Sequence, residues 1–108
     1  MDKIKKNILV IGGSGFMGSH TADFLSQQGA LVTILDKIES PWLKSNQKMI
    51  IGDVMNSTTL NSAMKDIDFL YFFSGIADID QARLKPYDTI EANIMGLTKA
   101  LESAVNNK

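Results

Sequence analysis

Cysteine is absent from these 108 residues, and histidine occurs once, at His20. Disulfides, thiolate metal ligands and cysteine nucleophiles are therefore excluded within this sequence, as is any multi-histidine metal site. An excess of one charge is also lacking: eleven Lys and Arg against twelve Asp and Glu leave a formal net charge of -1. With no basic run either, there is no electrostatic case for nucleic acid or an anionic membrane surface as a partner. No apolar run approaches the roughly 18 residues that a membrane helix needs. The basic start through Lys6 is followed by only Ile8-Leu9-Val10-Ile11, too short for the apolar core of a signal peptide. A cytoplasmic location is the expectation. What remains, 44% hydrophobic and 21% charged, is the balance of an ordinary globular protein with room for one small domain.

Asn7 to Ile11 is a continuous apolar stretch rich in β-branched residues, which predicts a strand buried on both faces, as in a parallel sheet. Glycines 12, 13, 15 and 18 follow at once. From Phe16 to about Gln28 the pattern is helical, with Met17, Thr21, Phe24 and Leu25 able to share a face, and Gly29 ends it. Leu31 to Leu35 reads as a second strand ending at Asp36. A loop with Ser40-Pro41 and a partly exposed Trp42 follows, then a third strand, Lys48 to Ile51, closed by Gly52-Asp53. Ser57 or Thr58 can cap a short helix carrying Leu60, Ala63 and Met64 inward. Phe69 to Phe73 forms a fourth strand. Ile76 to Lys85 is more polar and predicts no regular element. Pro86 then opens a long helix with Ile90, Ile94, Leu97, Leu101 and Ala104 or Val105 on one side. Alternation of this kind predicts an α/β fold, a doubly wound parallel sheet with helices on both faces.

The strongest local signal is Gly12-Gly13-Ser14-Gly15-Phe16-Met17-Gly18, placed between a predicted buried strand and a predicted helix. A glycine pattern alone is weak, but this context gives it a physical meaning. Gly12 would make the sharp exit from the strand, Gly15 would let a pyrophosphate approach the backbone, and Gly18 would let the helix pack near the sheet. Free amides at the helix start would face the negative charge, and Ser14 could add a hydroxyl bond. No Gly-Lys-Ser/Thr ending follows, which disfavours a nucleoside triphosphate loop.

Asp36, at the end of the second strand, is placed to accept hydrogen bonds from the hydroxyls of an adenosine ribose, and would repel a 2′-phosphate. NAD is thereby preferred over NADP, with Lys37 beside it as a partial offset. The alternative for Asp36 is an ordinary strand-end carboxylate. Asp53 could receive an adenine amino group with Val54 against the ring, or could simply begin the next turn. Ser74-Gly75-Ile76 could run along the cofactor or be a structural turn. His20 lies within the first helix and reads as structural. Asp78 and Asp80 form a close acidic pair that reads as a solvated loop.

Together these residues resemble the extended short-chain dehydrogenase/reductase family, the NAD-dependent epimerases and dehydratases of nucleotide sugars. The resemblance runs from Gly12–His20 through Asp36, Gly52-Asp53-Val54 and Phe72–Gly75 to Glu91–Leu97 and Leu101–Ala104. It implies a Rossmann fold with strand order 3-2-1-4, and NAD as cofactor. It implies Gly12, Gly15 and Gly18 as phosphate-loop glycines, Phe16 and Met17 as the pair whose amides lie near the pyrophosphate, Asp36 at the ribose and Asp53-Val54 at adenine. Asn93 matches a helix asparagine beneath the cofactor, in contact or in packing. Met17 stands where a branched aliphatic residue is more usual, and Phe72 where histidine is frequent.

The family's catalytic Tyr-x-x-x-Lys pair is missing, because Tyr87 is followed four positions on by Glu91. No catalytic residue is therefore expected in this chain. The expectation is an N-terminal portion of a nucleotide-sugar epimerase or dehydratase, its sheet incomplete on the C-terminal side. A reductase of a non-sugar substrate and a non-enzymatic dinucleotide sensor or scaffold are the alternatives. The apolar Phe69–Phe73 strand would then be a free edge, which predicts a homo-oligomer formed through it or through the last helix.

Overall fold

The computed structural model describes residues 6–75 and 79–107. Four parallel strands, β1 (Asn7–Ile11), β2 (Leu31–Asp36), β3 (Gln47–Ile51) and β4 (Phe69–Phe72), form one sheet in the order β3-β2-β1-β4. The register aligns Ile11 with both Leu35 and Phe72, and Asp36 with Ile51, so all four strands leave the sheet at one end. The expected order and parallel sense hold, as do the strands to within a residue at each end.

Because the central strands are covered on both sides, their alternating residues feed two cores. Ile8 and Val10 of β1 meet Val32 and Ile34 of β2 beneath α1 (Phe16–Gln27). Leu9, Ile11 and Leu35 meet Leu60, Ala63 and Met64 of α2 (Ser57–Met64) and Ala100 of α5 (Gly96–Asn106) on the other side. The strand run that looked uniformly apolar in sequence thus serves two layers, one residue at a time.

Three local expectations change. The buried face of α1 is Gly18, Ser19, Ala22, Leu25 and Ser26, while Met17 and Phe24 point out at 64% and 60% exposure. Gly18, Ser19 and Ala22 are small where the helix start sits close against the loop and sheet, and Leu25 is the one large residue on that face. The cap of α2 is Asn56, not Ser57 or Thr58: its side-chain oxygen accepts from the Thr59 N–H at 3.1 Å. Within the stretch expected to be irregular, Ile79–Leu84 forms a helical segment, α3, with Asp80 in its first turn and Arg83 in its last. Those charges suit the two ends of the helix dipole, and the residue before Pro86 ends it.

The last helical rod is continuous but not uniform. α4 (Pro86–Ile90) runs through a π-turn (Glu91–Met95) into α5. Its buried residues are small, Gly96, Ala100 and Ser103, whereas Ile90, Ile94, Leu101 and Val105 are all more than half exposed. The apolar stripe read from the sequence exists, and it faces outward. β4 is an outer strand, with Phe69 and Tyr71 also exposed.

The opposite end of the sheet is tied by Asn7, whose N–H donates to Asp68 Oδ2 at 2.8 Å and whose side-chain amide donates to the Asp66 carbonyl at 3.1 Å. Asp66 holds φ +62°, a left-handed conformation that costs a non-glycine residue about 1 kcal/mol. Asp66→Gly should therefore stabilise the fold slightly or leave it unchanged in urea denaturation. Leu9→Ala, at 0% exposure, should destabilise it by about 2–5 kcal/mol in the same measurement.

Candidate functional site

The common exit of the four strands builds the site. Gly12 leaves β1 with φ +82°, and its N–H donates to the Leu35 carbonyl at 2.8 Å, holding it beside β2. A Cβ there would stand 2.6 Å from the Ser74 nitrogen, so the chain leaving β1 and the chain leaving β4 pass at backbone contact. Gly18, one turn into α1, lies directly on the same loop: an added Cβ would overlap the Gly12 carbonyl and reach 2.7 Å from the Gly13 Cα. Helix and loop are therefore in contact backbone to backbone.

Gly15 behaves differently. It caps α1 with φ -81°, an ordinary value for any residue, and a Cβ there would meet only the Gly12 carbonyl oxygen, at 3.6 Å. No side chain caps the helix. Its first amides, which have no partners within the helix, open toward the space in front of the loop. Gly15 is also exposed. Phe16 and Met17 extend their side chains outward, at 77% and 64% exposure, so their backbone is what they offer to this space.

Ser14 is not aimed at that space. Its hydroxyl donates to the Ile38 carbonyl and its N–H donates to Asp36 Oδ2 at 3.0 Å. The glycine loop is thereby tied to the chain leaving β2, a different role from the one expected of the hydroxyl. The other Asp36 oxygen accepts from the Ile38 N–H at 3.5 Å.

Asp53 follows β3, and its Oδ1 accepts from the Met55 N–H at 2.9 Å, fixing the turn that leads toward α2. Its Oδ2 lies 3.5 Å from the ammonium of Lys37. Val54 is buried, and Gly75 touches the π-turn closely enough that an added Cβ would be 2.6 Å from Asn93 Oδ1. π-turns recur where a helix must place a side chain at a site, and this one carries Asn93 to the strand exits.

Two adjoining cavities occupy this end. One, about 250 Å³, is lined by Asp36, Lys37, Val54, Ser74, Gly75 and Ala92 among others. Its neighbour, about 370 Å³, shares Lys37, Val54, Ser74 and Ala92 and adds Asp53, Lys85, Asp88 and Glu91. Asp36, Asp53, Val54, Ser74 and Gly75 are thus brought together from three strand ends, with Gly12, Gly15 and Gly18 alongside. Ile76 and Asp78 lie outside the described residues. A larger cavity, about 710 Å³, opens at the other end of the sheet between Asn7, Lys48 and Lys65, and no candidate residue reaches it.

Sequence reasoning missed Ala92 and Lys85 in the lining and the pairing of Lys37 with Asp53, because no spacing rule links these positions. His20 rests edge-on against Phe16, with ring centroids 4.7 Å apart, which is a structural contact. Among the described residues no three His, Asp or Glu side chains gather to hold a metal ion, and no helix is long and apolar enough to cross a membrane.

A sequence model described as the NAD dependent epimerase/dehydratase family matches residues 8–108. The UDP-N-acetyl-alpha-D-glucosaminuronate decarboxylase of Bacillus cytotoxicus is 29% identical over 111 residues, covering 97% of this chain and 35% of that protein. Among solved structures, Pen from Bacillus thuringiensis superposes with a TM-score of 0.90 at 24% identity, over 99% of this chain and 36% of that one. The UDP-glucose 4-epimerase from Brucella ovis, solved in complex with NAD, gives 0.85 at 25% identity, over 94% and 33%. The chain spans about a third of the length of each of these three proteins.

Gly18→Ala tests the backbone contact at the loop. It should destabilise the fold by about 1–3 kcal/mol, as overpacking does when the opposing atoms are backbone and cannot yield. Thermal unfolding measures it.

Proposed function

The chain belongs to the NAD dependent epimerase/dehydratase family, and we propose that it is the NAD-binding portion of an enzyme that epimerises or dehydrates a nucleotide sugar. The observation that carries the reading is Gly15. Nothing inside the protein requires glycine there, since its φ is ordinary and an added methyl would meet only ordinary contact. What a side chain would fill is the space in front of the free α1 amides. That space suits a pyrophosphate held by backbone N–H groups and by the positive end of the helix dipole.

The other residues fit the rest of a dinucleotide. Asp36, fixed at the end of β2 through the Ser14 N–H, presents a carboxylate suited to a ribose diol and unfavourable to a 2′-phosphate. Asp53 offers Oδ2 to an adenine amino group while Oδ1 stays in its turn, and Val54 supplies an apolar wall. The backbone of Ser74 passes against Gly12, where no side chain fits at the glycine, and Gly75 passes as closely against Asn93 of the π-turn. The Gly12–Gly18 backbone would position the pyrophosphate, with the amides of Phe16 and Met17 nearest it.

When bound, NAD accepts or returns hydride at a sugar carbon. This chain's residues bind and orient that group. Neither tyrosine is set to move the substrate proton: Tyr71 is followed four residues on by Gly75 and Tyr87 by Glu91, so no lysine assists either. The chain alone is therefore proposed to bind cofactor without turnover, its nucleotide-sugar substrate being met by residues outside these 108. A self-association surface belongs to the same proposal, supported by the outer β4 strand and the outward stripe of α5.

Calorimetric titration of the chain with NAD should give saturable binding, and a folded sample with none would refute the reading. Gly15→Ala should melt within a few degrees of the unsubstituted chain, because the lost N-cap preference is offset by reduced unfolded-state entropy. Its NAD affinity should nevertheless fall by about tenfold or more, an energy of roughly 1.4 kcal/mol. In sedimentation velocity, the chain should associate as concentration rises. Tyr71→Lys, on the exposed side of β4, should weaken that association, and a concentration-independent monomer would count against the surface.

A further inference from the structure

Lys37 is joined directly to Asp36, yet its ammonium pairs with another acid. The Asp36 oxygens are directed to the backbone N–H groups of Ser14 and Ile38. The lysine instead crosses to Asp53 beyond the end of β3, at 3.5 Å. Both Asp36 and Lys37 line the cavity at the strand exits, and the ammonium takes Asp53 as its partner there. Asp53 is well anchored for this, because its other oxygen is held by the Met55 N–H at 2.9 Å.

From this geometry we propose that Asp53, through its ion pair with Lys37, is a specificity-determining residue that keeps the site selective for NAD over NADP. A phosphate monoester carries a charge of about -1.5 to -2 at neutral pH. Next to Asp36 such a group is repelled, and a free ammonium on the adjacent residue would offset the repulsion. Asp53 removes that offset by occupying the ammonium, so that the pair as a whole brings no net positive charge to the rim. The two side chains are 71% and 45% exposed, so the pair is screened by solvent and its effect is modest. It is also salt-dependent, because an exposed ion pair weakens as ionic strength rises.

The inference rests on the dinucleotide reading above, and the experiment separates the two. Dissociation constants for NAD and NADP are measured by calorimetry at low and high salt for the chain and for Asp53→Asn, Lys37→Ala and the double variant. Asparagine keeps the oxygen that accepts from Met55 and removes the charge. Asp53→Asn should raise the preference for NADP relative to NAD by about fivefold at low salt, the upper end for an exposed pair, and by less at high salt. Lys37→Ala alone should not raise the preference for NADP and should lower it slightly, because it removes an ammonium already engaged and leaves the Asp53 charge without its partner. In the Asp53→Asn background it should abolish the gain.

Three results would overturn the proposal while leaving the NAD reading intact: no change of ratio in Asp53→Asn, an equal gain in the double variant, or a gain in NADP preference in Lys37→Ala alone. The last of these needs only a surface substitution and stays decisive if Asp53→Asn folds poorly. Absence of binding of both dinucleotides by the unsubstituted chain would instead remove the NAD reading itself.

Discussion

The close passage of backbone over backbone between Gly12 and Gly18 governs the arrangement of this molecule. The start of α1 sits on the loop that leaves β1, near enough that one methyl group at Gly18 would displace the chain. That contact makes the whole inner face of α1 small, since Ala22 and Ser26 continue it and only Leu25 is large. It also pushes the large apolar residues of the helix outward and leaves its first amides in front of the strand exits. The same loop touches the chain after β4, so the helix end, the loop and the Ser74-Gly75 turn are located by one set of contacts.

Around that rigid centre the polar groups are fixed by backbone rather than by one another. Asp36 is held by the N–H groups of Ser14 and Ile38, and Asp53 by that of Met55. Bonds to backbone N–H groups set the orientation of both carboxylates, and Asp53 takes the Lys37 ammonium as a counter-charge besides. Lys37 is the long, solvent-exposed element among them, and its pairing with Asp53 rather than its own neighbour decides where positive charge stands on the rim. On the proposed reading this geometry divides binding from selection: backbone amides would serve the pyrophosphate, and the rim charges would discriminate at the ribose.

The outer surfaces have a different logic. The chain covers about a third of the length of its relatives, and its large apolar residues divide between core and periphery. Leu9, Ile11, Leu35 and Leu60 are buried between the sheet and α2 and α5, so the central strands have complete cores on both faces. Phe69 and Tyr71 of β4 and the stripe along α5 lie at the periphery, where apolar contact is available and unused among the described residues. Exposed rows of this size on an outer strand and a neighbouring helix favour association.

How much of this was legible in sequence depends on the range of the interaction responsible. The strand runs, the glycine turn, the Gly29 helix stop and Asp36 at a strand end are local patterns, and hydrogen-bonding periodicity and turn sterics make them readable from neighbours alone. Strand order and the roles of the loop glycines came from the joint spacing of those patterns in a known family. Which face of α1 is buried could not be read, because periodicity finds an apolar face while the close helix–sheet approach selects a small one. Nor could the Ser14 bond to Ile38, the meeting of Gly75 with Asn93, or the ion pair of Lys37 with Asp53. The sequence by itself determined the four strands, the helices α1 and α2 and the glycine turn between β1 and α1, but not α3 or the π-turn. Tertiary structure decided which groups share a space, because β2, β3 and β4 deliver residues distant in the chain to one edge, and only packing sets their distances and the partner each charge takes.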